Sequence, residues 1–231
     1  MDNEALKQNM RGRVRPLVLW LDGLGATPLS ISLVGLAFSL LAGWIVAQVS
    51  LLLGALVFLV GAGLDMLDGD LARLQGTVSR RGAFLDSCLD RLGESALFAG
   101  LAWYFMAALK PNWQFAVLMI LFTVVGSLTT SYVRARAEGL GETCRVGWLQ
   151  RPERVVLLVV GMVLGRWVLM IVLTFLAIAT LATTVQRIVH VARKLPGPGP
   201  RHAPSAHARD PEDDFGDPGA PGGTPPGEVR P

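Results

Sequence analysis

The sequence predicts an all-α integral membrane protein with six transmembrane helices and a preceding N-terminal interfacial amphipathic helix. Of the 231 residues, 52% are hydrophobic and only 17% are charged, whereas soluble domains carry roughly 25% charged residues. The mean hydropathy of +0.46 is too high for a cytosolic globular enzyme of this length, which could not bury so much apolar surface. The two cysteines also exclude a disulfide framework.

The first 27 residues predict a helix that lies on the membrane surface. Four basic residues precede the short apolar stretch from Leu17 to Leu21, which is too short for a signal-peptide core and has no small-residue cleavage site. Basic residues beside leucines and Trp20 favour an interfacial helix on the anionic cytoplasmic leaflet.

The first two spans follow from a long run without charge. Thr27 and Pro28 form a helix start, with Thr as the N-cap and Pro at the first helical position. The next 37 residues, 28–64, contain no charged side chain. As one helix they would extend roughly 55 Å, against a hydrocarbon core of about 30 Å. We therefore expect two spans that turn near Val49 and Ser50.

The remaining spans are bounded by turn residues. The third follows Gly82 and ends at residues 110–112, and the fourth runs from about Trp113 to Arg134. Residues 155–186 are again too long for one span, and Gly165 with Arg166 is the expected turn between the fifth and sixth. A single tilted helix over this last region is the alternative, and it would place the C-terminus on the opposite side.

Charge distribution predicts the orientation. With six spans, 19 of the 21 Lys and Arg residues fall on the side that holds both termini, and only Lys110 and Arg166 fall on the other. The positive-inside rule then makes both termini cytoplasmic in a multi-pass protein of the cell membrane. Residues 28–195 form the membrane domain. Residues 196–231, with 10 Pro and 7 Gly, predict a disordered cytoplasmic tail.

Two pairs of carboxylates lie where the spans end. Asp65 and Asp68 are three residues apart, and Asp86 and Asp90 are four apart, so each pair occupies one helix face. Four facing carboxylates repel one another unless a divalent cation neutralises them, and oxygen ligands suit Mg²⁺ or Mn²⁺. Two such ions are the usual arrangement for displacement at phosphorus. Solvated helix-end charges are the alternative. Glu94 follows Asp90 by one helical turn. It could contact the residues that bind the metal rather than the metal itself.

Small residues between the pairs favour a ligand. Gly69 allows a flat ligand to approach the backbone, and Arg73, with Ala72 on the same turn, is placed to meet a phosphate. Helix packing is the alternative reading of Gly69 and Gly82 taken singly.

The whole string, Asp65-x2-Asp68-Gly69-x2-Ala72-Arg73-x8-Gly82-x3-Asp86-x3-Asp90, resembles the signature of the CDP-alcohol phosphotransferase family. The resemblance implies six membrane helices, a homodimer, and transfer of a phosphatidyl group from a CDP-linked lipid to an alcohol with release of CMP. It implies that Asp65, Asp68 and Asp86 hold two metal ions, with Asp90 as a shared ligand or the general base, on the cytoplasmic side. The residues it places around the CDP-lipid are Asp68, Gly69, Ala72, Arg73, Ser79 and Gly82.

A set of arginines bears on the acceptor. Arg134 ends the fourth span, Arg151 and Arg154 begin the fifth, and Arg187 ends the sixth. With their neighbouring residues 131–138, 151–154 and 185–187, they look like the phosphatidylinositol-phosphate synthase branch of the family, whose acceptor is inositol 1-phosphate. That resemblance implies an acceptor phosphate site at these four arginines. In actinobacterial members of the branch a Lys stands where this chain has Arg134, and the two cations are not equivalent.

The sequence is compatible with other functions. Glycerol 3-phosphate is also a phosphorylated alcohol and would need the same positive pocket. A cation-coupled transporter or channel would use the carboxylates for its cargo, but such sites usually lie near the membrane midplane. A structural membrane protein leaves the carboxylates unexplained. No feature points to nucleic acid.

Overall fold

The computed structural model describes residues 15–108, 113–144, 146–147 and 149–195. These residues form seven helices and no strand: α1 (residues 15–23), α2 (Pro28–Gln48), α3 (Leu51–Leu74), α4 (Arg80–Ala108), α5 (Gln114–Gly139), α6 (Arg151–Leu164) and α7 (Arg166–Lys194). The predicted all-α class is therefore confirmed. The expected loop at 110–112, the first 14 residues and the tail 196–231 lie outside the described residues.

Four of the helices, α2, α3, α5 and α7, are long and apolar enough to cross a membrane, so the chain is a multi-pass membrane protein. The helix α4 carries charged residues in its first half, and α6 has only 14 residues. The division of the last apolar region is as expected, because Gly165 adopts a positive φ of 98° between α6 and α7, a conformation that favours glycine.

Helix α2 begins as the sequence predicts. The Thr27 side chain accepts a hydrogen bond from the Ser30 backbone N–H, and the Ser30 side chain accepts one from the Thr27 N–H. This capping box and Pro28 at the first turn satisfy the free amides of the helix start. The start matters because α2 packs against both α3 and α4, which carry the acidic residues.

Small residues allow α2 to lie close to α4. A Cβ atom built on Gly100 of α4 would collide with the backbone of Gly43 in α2, and one built on Gly43 would lie 2.5 Å from the Ala96 carbonyl oxygen. Helices that meet through glycine can bring their backbones together. The main core continues from this contact through Leu101 and Phe105 to Leu173 of α7.

The second helix group consists of α5, α6 and α7, and α5 contacts α7 through polar side chains as well as apolar ones. The Thr130 and Thr184 hydroxyls lie 2.7 Å apart, and Thr130 Oγ1 also donates to the Thr180 carbonyl. Hydroxyl contacts of this kind fix the register of helices that lack a strong hydrophobic drive to associate in lipid. They place Arg187, one turn beyond Thr184, beside α5.

Helix α1 packs against the ends of α2 and α3. Val18 belongs to a small buried cluster with Ile31, Leu67 and Leu71. The Gln75 side-chain amide then donates to Asp22 and to the Ala26 carbonyl, each at 2.9 Å. Other apolar side chains of this segment are exposed, including Leu17, Leu19 and Trp20. An exposed apolar face beside the membrane helices suits an interfacial position, which remains a prediction.

Candidate active site

Three carboxylates meet where α3 and α4 face each other. One oxygen from each of Asp65, Asp68 and Asp86 can be chosen so that all three lie within 4.8 Å of one another. Three negative groups at this separation repel in a partly buried setting. Their oxygen chemistry fits a hard divalent cation, which would remove the repulsion. The helical spacing thus brought together three of the four aspartates that it singled out.

Asp90 lies beside this acidic cluster but pairs with an arginine. Arg151 Nη1 lies 2.7 Å from Asp90 Oδ2 and also contacts Asp65 Oδ2. The other oxygen of Asp90 is buried without a hydrogen-bond partner in the described part of the chain. A buried carboxylate oxygen without a donor is costly, so this atom is a second indication that a ligand belongs here. Arg151, which the family resemblance assigns to the acceptor phosphate site, thus contacts two of the carboxylates.

Ser32 of α2 holds the central carboxylate. Its hydroxyl donates to Asp68 Oδ2 at 2.5 Å, and Ser32 and Asp68 are only 5% and 6% exposed. A charge-assisted hydrogen bond between buried groups fixes the carboxylate orientation. Sequence reasoning missed Ser32. The signal available was a helical spacing of small residues, three and then four apart, which marks the inner face of α2: Ser32, Gly35, Ser39 and Gly43.

A cavity of about 580 Å³ opens beside the acidic cluster, between the ends of α2, α3 and α4. This volume lies within the usual range for small-molecule sites. The cavity is lined by all six residues expected to surround a CDP-lipid, namely Asp68, Gly69, Ala72, Arg73, Ser79 and Gly82. Apolar side chains, among them Leu29, Val78 and Leu85, complete the wall.

The two glycines of this cavity do not serve helix packing. A Cβ on Gly69 would meet only the Arg73 guanidinium, at 3.7 Å, and one on Gly82 would meet only the Ser79 hydroxyl, at 3.2 Å. Neither contacts a neighbouring helix, so their missing side chains enlarge the cavity. Arg73 itself pairs with Asp70 at 2.5 Å.

Two of the predicted acceptor arginines are buried. Arg187 donates from Nε to the Val146 carbonyl at 2.7 Å and from Nη1 to the Thr130 carbonyl at 2.9 Å. Arg154 pairs with Glu94 at 3.5 Å, and its Nε has no hydrogen-bond partner among the described residues. A buried guanidinium with an unused donor is costly unless a ligand completes it.

Arg134 completes this arginine group from α5. It is about half exposed and pairs with Glu138 at 2.9 Å. Arg134 and Arg154 both lie near enough to Arg187 for their positive charges to repel its own. Three helices therefore contribute one cation each to the same region, an arrangement that favours a polyanionic ligand.

These features are those of a membrane enzyme: three carboxylates that can hold a metal ion lie beside a ligand cavity, and α5, α6 and α7 each contribute an arginine. The family is then plain. The sequence model of the CDP-alcohol phosphatidyltransferase family matches residues 26–193, and the chain belongs to this family and is a transferase. The resemblance carried by the aspartate motif is confirmed.

Relatives at about one-third identity share most of the chain. The phosphatidylinositol phosphate synthase of Mycolicibacterium smegmatis is 38% identical over 75% of this chain and 80% of its own length. The archaetidylinositol phosphate synthase of Pyrococcus horikoshii is 34% identical over 76% of this chain and 88% of its own.

A solved structure from Mycobacterium tuberculosis has the same fold. The crystal structure of the phosphatidylinositol phosphate synthase of this organism with CDP-DAG bound superimposes with a TM-score of 0.70 and 32% sequence identity. The match covers 76% of this chain and 92% of that chain. The same enzyme in complex with manganese and citrate matches with a TM-score of 0.72, over 81% of this chain and 92% of that chain.

Proposed function

We propose that this protein transfers the phosphatidyl group of a CDP-diacylglycerol-type lipid to inositol 1-phosphate, forming a phosphatidylinositol phosphate and releasing CMP. The observation that carries the acceptor assignment is the group formed by Arg134, Arg154 and Arg187. These three cations repel one another, and two of them are buried. A phosphate dianion on the acceptor would offset this repulsion. Similarity to phosphatidylinositol phosphate synthases supports the same assignment.

The CDP-lipid would occupy the cavity beside the acidic cluster. Its nucleotide would lie against the walls opened by Gly69 and Gly82, and Arg73 would meet its phosphates. The apolar residues of the wall suit the glycerol end of the lipid. The CDP-DAG complex of the Mycobacterium tuberculosis enzyme supports this use of the cavity.

Asp65, Asp68 and Asp86 would hold divalent cations, which we propose to be two Mg²⁺ or Mn²⁺ ions. When bound, they would supply positive charge to the pyrophosphate oxygens. The manganese complex of the related enzyme supports a divalent metal. Ser32 keeps the Asp68 carboxylate turned toward this position.

Asp90 is the proposed general base. The acceptor hydroxyl oxygen forms a bond to the phosphorus that carries diacylglycerol, and the bond from that phosphorus to the CMP oxygen breaks with its electron pair. Asp90 takes the hydroxyl proton, and Arg151, at 2.7 Å, holds its carboxylate in place. The arginine group orients the acceptor by its phosphate, which leaves the hydroxyl free to attack.

The arrangement in the membrane is also proposed. We infer six spans, with α4 and α6 crossing alongside the four apolar helices. Both termini and the active site would face the cytoplasm, since that side receives most of the basic residues. A homodimer is proposed from the family resemblance.

An acceptor panel tests the function. CMP release is measured for the purified protein with CDP-diacylglycerol, Mg²⁺ and, in turn, inositol 1-phosphate, glycerol 3-phosphate and free inositol. We expect inositol 1-phosphate to give the highest kcat/KM. Replacement of Arg187 by Ala should raise the KM for this acceptor by about 10- to 100-fold, the loss of one charge-assisted contact, with little change for CDP-diacylglycerol. Equal use of free inositol would show that the arginines do not bind an acceptor phosphate.

A further inference from the structure

Glu94 is a partly buried acid that the proposed reaction leaves unused. It lies on α4 one helical turn beyond Asp90, and its side chain is 13% exposed. A buried carboxylate is strongly disfavoured unless it is paired. Because the surrounding helices are apolar, its partners indicate its role.

Both partners of Glu94 lie on other helices. Glu94 Oε2 accepts a hydrogen bond from the Ser127 hydroxyl of α5 at 3.1 Å, and it lies 3.5 Å from Nη2 of Arg154 on α6. Ser127 is itself buried. One carboxylate oxygen thus joins three helices at the arginine expected to bind the acceptor.

Glu94 also lies between the two halves of the site. It lines a small cavity of about 10 Å³ together with Asp65, Asp90 and Arg151, and its negative charge acts on Arg151. The acidic cluster lies on one side of it and Arg154 on the other. A shift of Glu94 would therefore change the distance between the acceptor phosphate and the carboxylates that handle its hydroxyl.

We propose that Glu94 is a positioning residue for the acceptor: with Ser127, it holds the Arg154 guanidinium at a fixed distance from the acidic cluster. The inference rests on the proposed function, in which Arg154 binds the acceptor phosphate. Glu94 does not touch the substrate, and its effect on acceptor binding is exerted through Arg154.

The test compares Glu94 with a matched pair in the same arginine group. Glu94→Gln keeps the acceptor oxygen for Ser127 but removes the charge that holds Arg154. We expect its KM for inositol 1-phosphate to rise about tenfold, the loss of a partly buried charge-assisted contact, with the CDP-diacylglycerol KM within about twofold of wild type. Glu138→Gln removes the equivalent partner of Arg134, but that pair is about half exposed, so its acceptor KM should move by less than about twofold.

A double variant isolates the route of the effect. If Glu94 acts through Arg154, adding Glu94→Gln to Arg154→Ala should change the acceptor KM by less than about twofold, because the arginine to be positioned is gone. If Glu94→Gln raises the acceptor KM by the same factor in the wild type and in Arg154→Ala, the proposal is overturned. A fall in acceptor KM in Glu94→Gln would also overturn it, since Glu94 would then compete with the phosphate for Arg154.

Folding is followed by thermal unfolding in detergent. If Glu94→Gln does not fold, Ser127→Ala, which leaves the ion pair intact, carries the test with an expected rise in acceptor KM of about two- to tenfold. An unchanged acceptor KM in Ser127→Ala would then refute the positioning role.

The proposed function is tested separately on the wild type. If glycerol 3-phosphate is the preferred acceptor, the acceptor assignment fails. The effect of Glu94→Gln on KM is then measured with glycerol 3-phosphate, and the same fold-changes decide the positioning role. Equal use of free inositol would refute both.

Discussion

Replacing Ser32 by Ala should weaken metal binding without removing a metal ligand. The Ser32 hydroxyl donates to Asp68 Oδ2 at 2.5 Å across the contact between α2 and α3, and both residues are buried. A hydrogen bond to a charged group is worth about 1.5–3 kcal/mol, which corresponds to roughly 10- to 100-fold in affinity. Loss of such a supporting partner typically costs a metal site a similar factor.

The assay is CMP release as a function of Mn²⁺ concentration at saturating substrates. We expect half-maximal activity of Ser32→Ala at about 10- to 100-fold more Mn²⁺ than the wild type needs. The kcat at saturating Mn²⁺ should return to within about threefold of wild type, because all carboxylates remain. Ser39→Ala is the matched control: Ser39 is also a buried serine of α2, but its hydroxyl donates to its own helix at the Gly35 carbonyl. A wild-type Mn²⁺ dependence in Ser32→Ala, or an equal shift in Ser39→Ala, would refute the reasoning.

Two further predictions concern the base and the helix contact. Asp90→Asn should lower kcat by about 100-fold or more, since an amide cannot take the acceptor proton. The KM for CDP-diacylglycerol should stay near the wild-type value. An equal loss of lipid binding and turnover would make Asp90 chiefly a metal ligand. Gly100→Ala should lower the free energy of unfolding by about 1–3 kcal/mol, seen as a lower Tm in detergent, because its Cβ meets the backbone of Gly43. Gly63→Ala is the control, since its Cβ has no neighbour within 4 Å, and an equal loss of stability in both variants would contradict the close-approach argument.

The acidic cluster could be predicted because helices have a fixed period. Spacings of three and four residues place Asp65 with Asp68, and Asp86 with Asp90, on single helix faces. The charge-free run 28–64 ends directly before Asp65, which predicts that the first pair lies at a helix end. The helix break at Gly165 was predictable for a similar reason, since the apolar run was too long for one span.

Contacts between distant helices could not be predicted in this way. Arg151 follows the acidic residues by more than 60 positions, and its contacts with Asp65 and Asp90 depend on how α6 packs against α3. Ser32 and Ser127 are each one of several hydroxyl residues in α2 and α5, and such residues often bond only to their own backbone. Their roles depend on tertiary packing, which hydropathy and spacing do not specify.

The mixed wall of the cavity has a consequence for kinetics. Charged Asp68 and Arg73 share it with apolar Leu29, Val78 and Leu85, so it suits a substrate whose headgroup is solvated while its chains stay dissolved in lipid. For such a substrate the relevant concentration is two-dimensional. In mixed micelles or vesicles, the rate should follow the mole fraction of CDP-lipid at the surface and fall on dilution with inert detergent, even when the bulk amount of CDP-lipid is held constant.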